Sequence, residues 1–322
     1  MPSKKHYTIP DESIHPELRR LGKVLRAVLP PFTPAGMKAL ALFSRYAPKP
    51  EPKDMKRSYR YAARPDGSKL RLAVYTPLHR REHPKPAPAV LWIHGGGYAF
   101  GSPEQDEEWI RGFIHNGAAL VVSPDYTLSV EKPYPAAFED CCLALEWMRD
   151  NLEAYGADSQ KLMVGGDSAG GGLTVALCLW ARDTGKVRIA FQMPIYPEMN
   201  KQLTPSSMDN DAPLINTDAY PASWGMYLGE LYLSGEAPAY AVPAWAESFA
   251  DLPPCFTYCG SIEPFRDETL TYAENLRKNG IPAECIVYDG CFHAFDILAG
   301  KTAIAREARA NLWAAFRKAS EA

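Results

Sequence analysis

An α/β fold, with a mostly parallel central sheet covered by helices on both faces, is the architecture this sequence predicts. Three observations carry the prediction. Short, unbroken apolar runs such as Val90-Leu91-Trp92-Ile93 and Leu162-Met163-Val164 read as strands buried on both faces. They alternate along the chain with longer stretches of helical periodicity. The chain has 322 residues and 46% hydrophobic content, enough for a sizeable core in one large domain or two modest ones.

The elements follow in order. Apolar residues at helical spacing run through Leu18, Leu21, Val24, Leu25 and Val28, and again through Met37, Leu40, Leu42 and Phe43. Pro30, Pro31 and Pro34 separate them into two helices, and a Pro/Lys/Glu-rich linker follows over 48–56. Strands over 58–63 and 70–76 are joined by the hairpin signal Pro65-Asp66-Gly67. Strands over 89–93 and 118–123, a helix over 138–152, a strand over 161–164 and a helix over 169–182 come next. After a strand over 189–193, residues 199–245 interrupt the alternation. They are dense in Pro, Asn, Asp, Trp and Tyr, and long enough to form helices over one end of the sheet. The pattern resumes with a strand over 256–259, a helix over 267–279 stopped by Gly280 and Pro282, a strand over 285–288 and a final helix over 303–318.

Composition excludes several function classes. With 35 Lys+Arg against 38 Asp+Glu, the formal charge of −3 gives no electrostatic reason to expect nucleic acid or an anionic membrane as partner. The charge-free apolar stretch over 169–181 has 13 residues, whereas a spanning helix needs about 20. No membrane span or secretory h-region is therefore expected. Seven cysteines without a CxxC pair read as reduced, buried thiols of a cytoplasmic protein. No metal site and no organic cofactor are expected.

Three local signals carry chemistry. Gly166-Asp167-Ser168-Ala169-Gly170 sits between a strand and a helix, the context of a serine held on a sharp turn beside a helix N-terminus. A glycine-rich turn before a helix could equally cradle a phosphate. His94-Gly95-Gly96-Gly97 ends the preceding buried strand and presents unobstructed backbone N–H groups of the kind acyl transfer needs. No lysine follows the glycines, which weakens the phosphate reading: Tyr98-Ala99-Phe100 come next. His293 follows the last strand, late in the chain, and fits the order serine, acid, histidine. His6, His15, His79, His83 and His115 have no comparable placement. The acid belongs after the strand over 256–259. There Glu263 is nearer the strand end, and Asp267 suits the first turn of the next helix.

Five segments together resemble the motif series of the hormone-sensitive-lipase-like esterases, bacterial lipolytic family IV. They are HGGGYAFGS (94–102), DYTLSVEKPYPAAFED (125–140), GDSAGGGL (166–173), IEPFRDE (262–268) and GCFHAF (290–295). The resemblance runs from about residue 58 through residue 322. It implies an α/β-hydrolase fold in which Ser168 is the nucleophile and His293 the base. The oxyanion hole would be formed by the N–H groups of Gly96, Gly97 and Ala169. The family's catalytic aspartate falls on Glu263, one methylene longer. Thr127, Ser129 and Val130 depart from the Arg, Ala and Pro usual there, in a segment read as supporting the glycine loop.

The resemblance divides the chain into an N-terminal helical cap segment (1–50), a hydrolase core (51–198 and 246–322) and a cap insertion (199–245). Tyr98 and Phe100 are expected to line the pocket and Trp224 and Tyr227 to form the cap wall, all four as substrate-binding residues. A serine carboxylesterase acting on small, short-acyl ester substrates through an acyl-enzyme is the resulting expectation. Alternatives are an amidase or peptidase with the same triad, and a non-catalytic binding protein on the same scaffold. A homodimer is left open.

Overall fold

Every residue of the strand Ala87–Ile93 is buried, as its unbroken apolar run requires. Alternate side chains point to opposite faces: Ala89, Leu91 and Ile93 enter one hydrophobic cluster, while Val90 and Trp92 enter another. This one strand therefore shows why the fold has two helical layers.

The computed structural model describes residues 8–29, 32–79 and 87–322. Its strands are β1 (Met55–Ala63), β2 (Lys69–Pro77), β3 (Ala87–Ile93), β4 (Leu120–Pro124), β5 (Ala157–Asp167), β6 (Phe191–Ile195), β7 (Cys255–Gly260) and β8 (Ala283–Tyr288). They form a single sheet in the order β1-β2-β4-β3-β5-β6-β7-β8. β2 pairs antiparallel with both β1 and β4, and every other pairing is parallel.

Helices α1 (Arg19–Val28) and α2 (Pro34–Tyr46) precede the sheet. Pro34 opens α2 rather than breaking a helix, with Thr33 accepting from the Gly36 N–H as its cap. Pro30 and Pro31 lie outside the described residues. Helix α3 (Glu107–His115) follows β3 and is not among the elements the sequence predicts. Its buried Trp109, Ile110, Phe113 and Ile114 pack against Trp92 and α9 (Ala303–Glu321). Helices α4 (Ala136–Asn151), α5 (Ala169–Thr184) and α7 (Arg266–Lys278) match the expected positions to within a few residues. Within 199–245 the regular helix is α6 (Tyr220–Leu228), and a short α8 (Phe295–Leu298) follows the His293 loop.

The strand over 161–164 extends at both ends, from Ala157 to Asp167. Its glycines continue the ladder because Trp92 lies alongside: a Cβ on Gly165 would sit 2.9 Å from that ring. The C-terminal ends of β3, β5, β7 and β8 lie along one edge of the sheet, and each leads into a loop carrying one of the sequence signals. Met37 of α2, Ala99 after the glycines and Ala222 of α6 form a small hydrophobic cluster there, with Phe32 and Phe100 packed on it. Among the described residues, no helix is long and apolar enough to cross a membrane.

Candidate active site

Ser168 occupies the turn between β5 and α5 with φ 53° and ψ −119°, a backbone conformation that costs an L-residue energy and aims its side chain away from the sheet. Gly166 and Gly170 make the turn sterically feasible. A Cβ on either would lie 2.4 or 2.0 Å from the Ile93 carbonyl oxygen, so the neighbouring strand permits nothing larger. The Ser168 Oγ is 2.8 Å from His293 Nε2, and His293 Nδ1 is 2.5 Å from Glu263 Oε2. Tyr196 and Phe265 meet the imidazole edge-on at 4.7 and 5.0 Å between centroids, fixing the plane of the ring.

The longer side chain of Glu263 is accommodated by folding back on its own loop. Its Oε1 accepts the Gly260 N–H at 2.5 Å while Oε2 faces the histidine, so both oxygens of this fully buried group are used. Asp267 points elsewhere. It sits in the first turn of α7, accepts the Ser206 N–H at 2.8 Å and pairs with Arg266.

The glycine loop is braced from three sides. Gly96 has φ 122°, and a Cβ there would lie 2.0 Å from the Phe100 carbonyl oxygen. Asp167 Oδ1 accepts the Gly95 N–H at 2.8 Å, and Trp92 Nε1 donates to its neighbour Asp106 at 2.9 Å. Burial pushes the carboxyl pKa of Asp106 well above the usual range, and the adjacent Asp167 pushes it further. Tyr126 donates to the His94 carbonyl and stacks on its ring, and the Ser129 N–H donates to the Tyr98 carbonyl. Asp140 accepts from both the N–H and hydroxyl of Thr127 and pairs with Arg64. Of the unusual residues in the 125–140 segment, Thr127 is tied to Asp140, Ser129 reaches the glycine loop through its backbone N–H, and Val130 packs on the cluster of Met37, Ala99 and Ala222. Burial lowers the His94 pKa and keeps that ring neutral. The N–H groups of Gly96, Gly97 and Ala169 are used by no other group among the described residues.

Ser168, His293, Gly96, Gly97 and Phe100 line one cavity of about 220 Å³. Phe32, Met37, Tyr220, Ser223, Phe265 and Glu198 are also among its walls. Tyr98, Trp224 and Tyr227 are not. They form an aromatic stack behind the cavity, with Tyr98 3.7 Å from Tyr227 and 5.8 Å from Trp224 between centroids, and all three are buried. Their expected place in the pocket wall is thereby corrected: they are large, flat and apolar, and the gap between the glycine loop and α6 buries more of their surface. His6 and His83 lie outside the described residues, and His15, His79 and His115 do not border the cavity.

Several wall residues, Glu198, Met37 and Phe32 among them, are not singled out for the site by the sequence. Glu198 carries a signal, a carboxylate three residues beyond a buried strand end; Met37 and Phe32 look like ordinary helix-packing residues.

Two buried acids near the site set a pH dependence of stability. Burial raises Asp296, which accepts from Tyr196 and Tyr258, to about 6 and Glu198 to about 7. Unfolded carboxyls lose their protons near pH 4. Between these limits the folded state binds more protons, so the contribution of both groups to stability falls as pH rises from about 4 to 7. Thermal unfolding across that range should show a shallower loss of Tm in Glu198→Gln than in the parent. An equal slope in both proteins would contradict the assignment.

A sheet in this strand order, with a strained serine turn after β5, defines the α/β-hydrolase class. The chain belongs to the α/β-hydrolase family, in its hormone-sensitive-lipase-like branch, and the profile of the α/β hydrolase fold matches residues 90–297. It is 38% identical over 224 residues to Esterase LipI of Mycobacterium tuberculosis, spanning 69% of this chain and 70% of that one. An arylesterase of Saccharolobus solfataricus is 31% identical over 230 residues, 70% of this chain and 72% of the relative. Among solved structures, a bacterial heroin esterase superposes with a TM-score of 0.86 at 29% identity, covering 96% of this chain and 98% of that chain. A hyperthermophilic esterase from Pyrobaculum calidifontis gives 0.80 at 30%, covering 96% and 99%.

Proposed function

We propose that the protein is a serine carboxylesterase that hydrolyses small, short-acyl esters through an acyl-enzyme. The observation that carries the reading is the continuous hydrogen-bonded chain Ser168–His293–Glu263, buried against one cavity. His293 Nε2 takes the hydroxyl proton as Ser168 Oγ attacks the ester carbonyl. Glu263 accepts from Nδ1, holds the tautomer that leaves Nε2 free, and stabilises the imidazolium that forms. The N–H groups of Gly96, Gly97 and Ala169 receive the oxyanion. His293 then protonates the leaving alcohol, and water, deprotonated by the same nitrogen, releases the acid.

The esterase relatives and the largely apolar cavity wall support an ester as substrate. A fluorophosphonate should label Ser168 and no other residue by peptide mass spectrometry. A panel of acyl esters from two to sixteen carbons, with a matched amide, should show hydrolysis concentrated at the short end. Labelling elsewhere, or turnover of the amide alone, would refute the reading.

The segments 1–50 and 199–245 are proposed to form a cap that sets acyl-chain length. Support comes from Met37 and Phe32 of the first segment and Tyr220 and Ser223 of the second, which line the same cavity. Met37→Ala opens the wall by several methylenes' worth of volume, and should raise kcat/KM for longer acyl chains relative to acetyl by roughly tenfold. An unchanged chain-length profile would remove α2 from the site. Seven free cysteines support a cytoplasmic setting. The outer edge of β8, which pairs with no strand among the described residues, supports a homodimer, tested by sedimentation over a concentration series.

A further inference from the structure

Glu198 has no task in the chemistry above, yet it is placed beside it. Its N–H donates to the Ser168 carbonyl at 3.0 Å, and its own carbonyl accepts the Tyr98 hydroxyl at 2.5 Å, so the backbone is fixed between the serine turn and the glycine loop. The side chain is 3% exposed and borders the same cavity as Ser168. One carboxyl oxygen, Oε1, accepts the Ser223 hydroxyl at 2.6 Å. The other, Oε2, has no hydrogen-bond partner among the described residues and is not sealed within the protein. A buried carboxylate normally carries a cation or a full set of donors. This one has a single donor and an open oxygen.

The rest of the cavity wall sharpens the question of what faces that oxygen. Among the described residues, the lining includes no lysine and no arginine. The other carboxyl in the wall, Asp167, is engaged by the Gly95 N–H and its acid partner. The ionisable groups that act on or feel Glu198 are His293 from the loop after β8, Glu268 from α7, Tyr98 from the glycine loop, and Tyr220 and Tyr227 from α6. Of these only the histidine can become positive, and it must be neutral to act as base. Phe265, Tyr220, Phe32 and Phe100 supply aromatic surface around the cavity. A carboxyl with no cationic partner, in a cavity with aromatic walls, is a site for a cation.

We propose that Glu198 is a specificity-determining residue that selects esters carrying an ammonium group, with Oε2 receiving the cation while the ester carbonyl lies at Ser168. The inference rests on the esterase reading and extends it to a substrate class. Burial holds the free carboxyl near neutrality, at about 7. A bound ammonium restores the charged form, because an opposite charge at contact distance favours the carboxylate. Aromatic faces add to the attraction once water is excluded.

The test compares two esters of the same shape, 2-(dimethylamino)ethyl acetate, protonated near neutral pH, and 3-methylbutyl acetate, its uncharged isostere. The parent enzyme should favour the cationic ester in kcat/KM by about tenfold or more. Glu198→Gln keeps the size of the side chain and the Ser223 bond, and should bring that ratio to near unity whatever happens to the absolute rates. As a check independent of any variant, tetramethylammonium should inhibit the parent competitively, and neopentyl alcohol, its neutral counterpart, should inhibit more weakly. Equal rates for the two esters in the parent, or an unchanged ratio in Glu198→Gln, would overturn the inference. Hydrolysis of neither ester would instead count against the esterase reading itself.

Discussion

Replacing Ser168 with alanine should leave a folded protein whose turnover is lower by roughly a million-fold, the loss seen when the nucleophile of a serine triad is removed. The size follows from what disappears. Without Oγ no acyl-enzyme forms, and His293 has no proton to take. What survives is the rate from the oxyanion donors and from binding alone, which in such enzymes still exceeds uncatalysed hydrolysis by about a thousand-fold or more. Folding should be spared, because alanine replaces a residue whose hydroxyl serves only the site; the N–H at position 168 keeps its bond to the Ile195 carbonyl in either case. Active-site titration and circular dichroism on the same sample separate the two outcomes. Turnover retained within tenfold of the parent would show that the chemistry runs through another residue.

The second large effect is expected at Glu263. Glu263→Gln keeps the side-chain volume but replaces an acceptor with an amide, which can present an N–H to His293 Nδ1 and favour the tautomer that blocks Nε2. Removing the orienting charge costs on the order of ten-thousand-fold in turnover in the best-studied triad. The comparison is Asp267→Asn, four positions along. That carboxylate serves the Ser206 N–H and the start of α7, so its loss should cost about 0.3–1 kcal/mol of stability with little change in rate. A large rate loss at Asp267 with none at Glu263 would reverse the roles. The short bonds from Glu263 to both Gly260 and His293 favour Glu263 as the orienting acid.

Much of this site is legible in the sequence because its parts are local. A strained serine turn needs glycines before and after it, a loop that exposes N–H groups needs glycines in a run, and both announce themselves within a few residues. The acid is harder to read. In the sequence, Glu263 and Asp267 differ only in whether they leave a strand end or begin a helix. Helix α3 escapes a reading by pattern although Trp109, Ile110, Phe113 and Ile114 lie at helical spacing, because Pro103 and Gly117 frame a stretch that also reads as loop. Conversely, chain neighbours suggest the pocket for Tyr98, Trp224 and Tyr227, and packing draws them behind it.

The sequence alone therefore determined the alternation of buried strands and helices, the two glycine-rich turns and the chain order of Ser168, Glu263 and His293. Each depends on periodicity or on backbone conformations that few residues adopt. The tertiary structure decided which side chains face the cavity. Met37 from α2 and Tyr220 from α6 both line it although they lie far apart in the chain. Glu198 turns one oxygen to Ser223 and borders the same cavity. Such choices turn on which of several distant surfaces buries an apolar group or satisfies a polar one, and that competition is settled only when the layers close on the sheet.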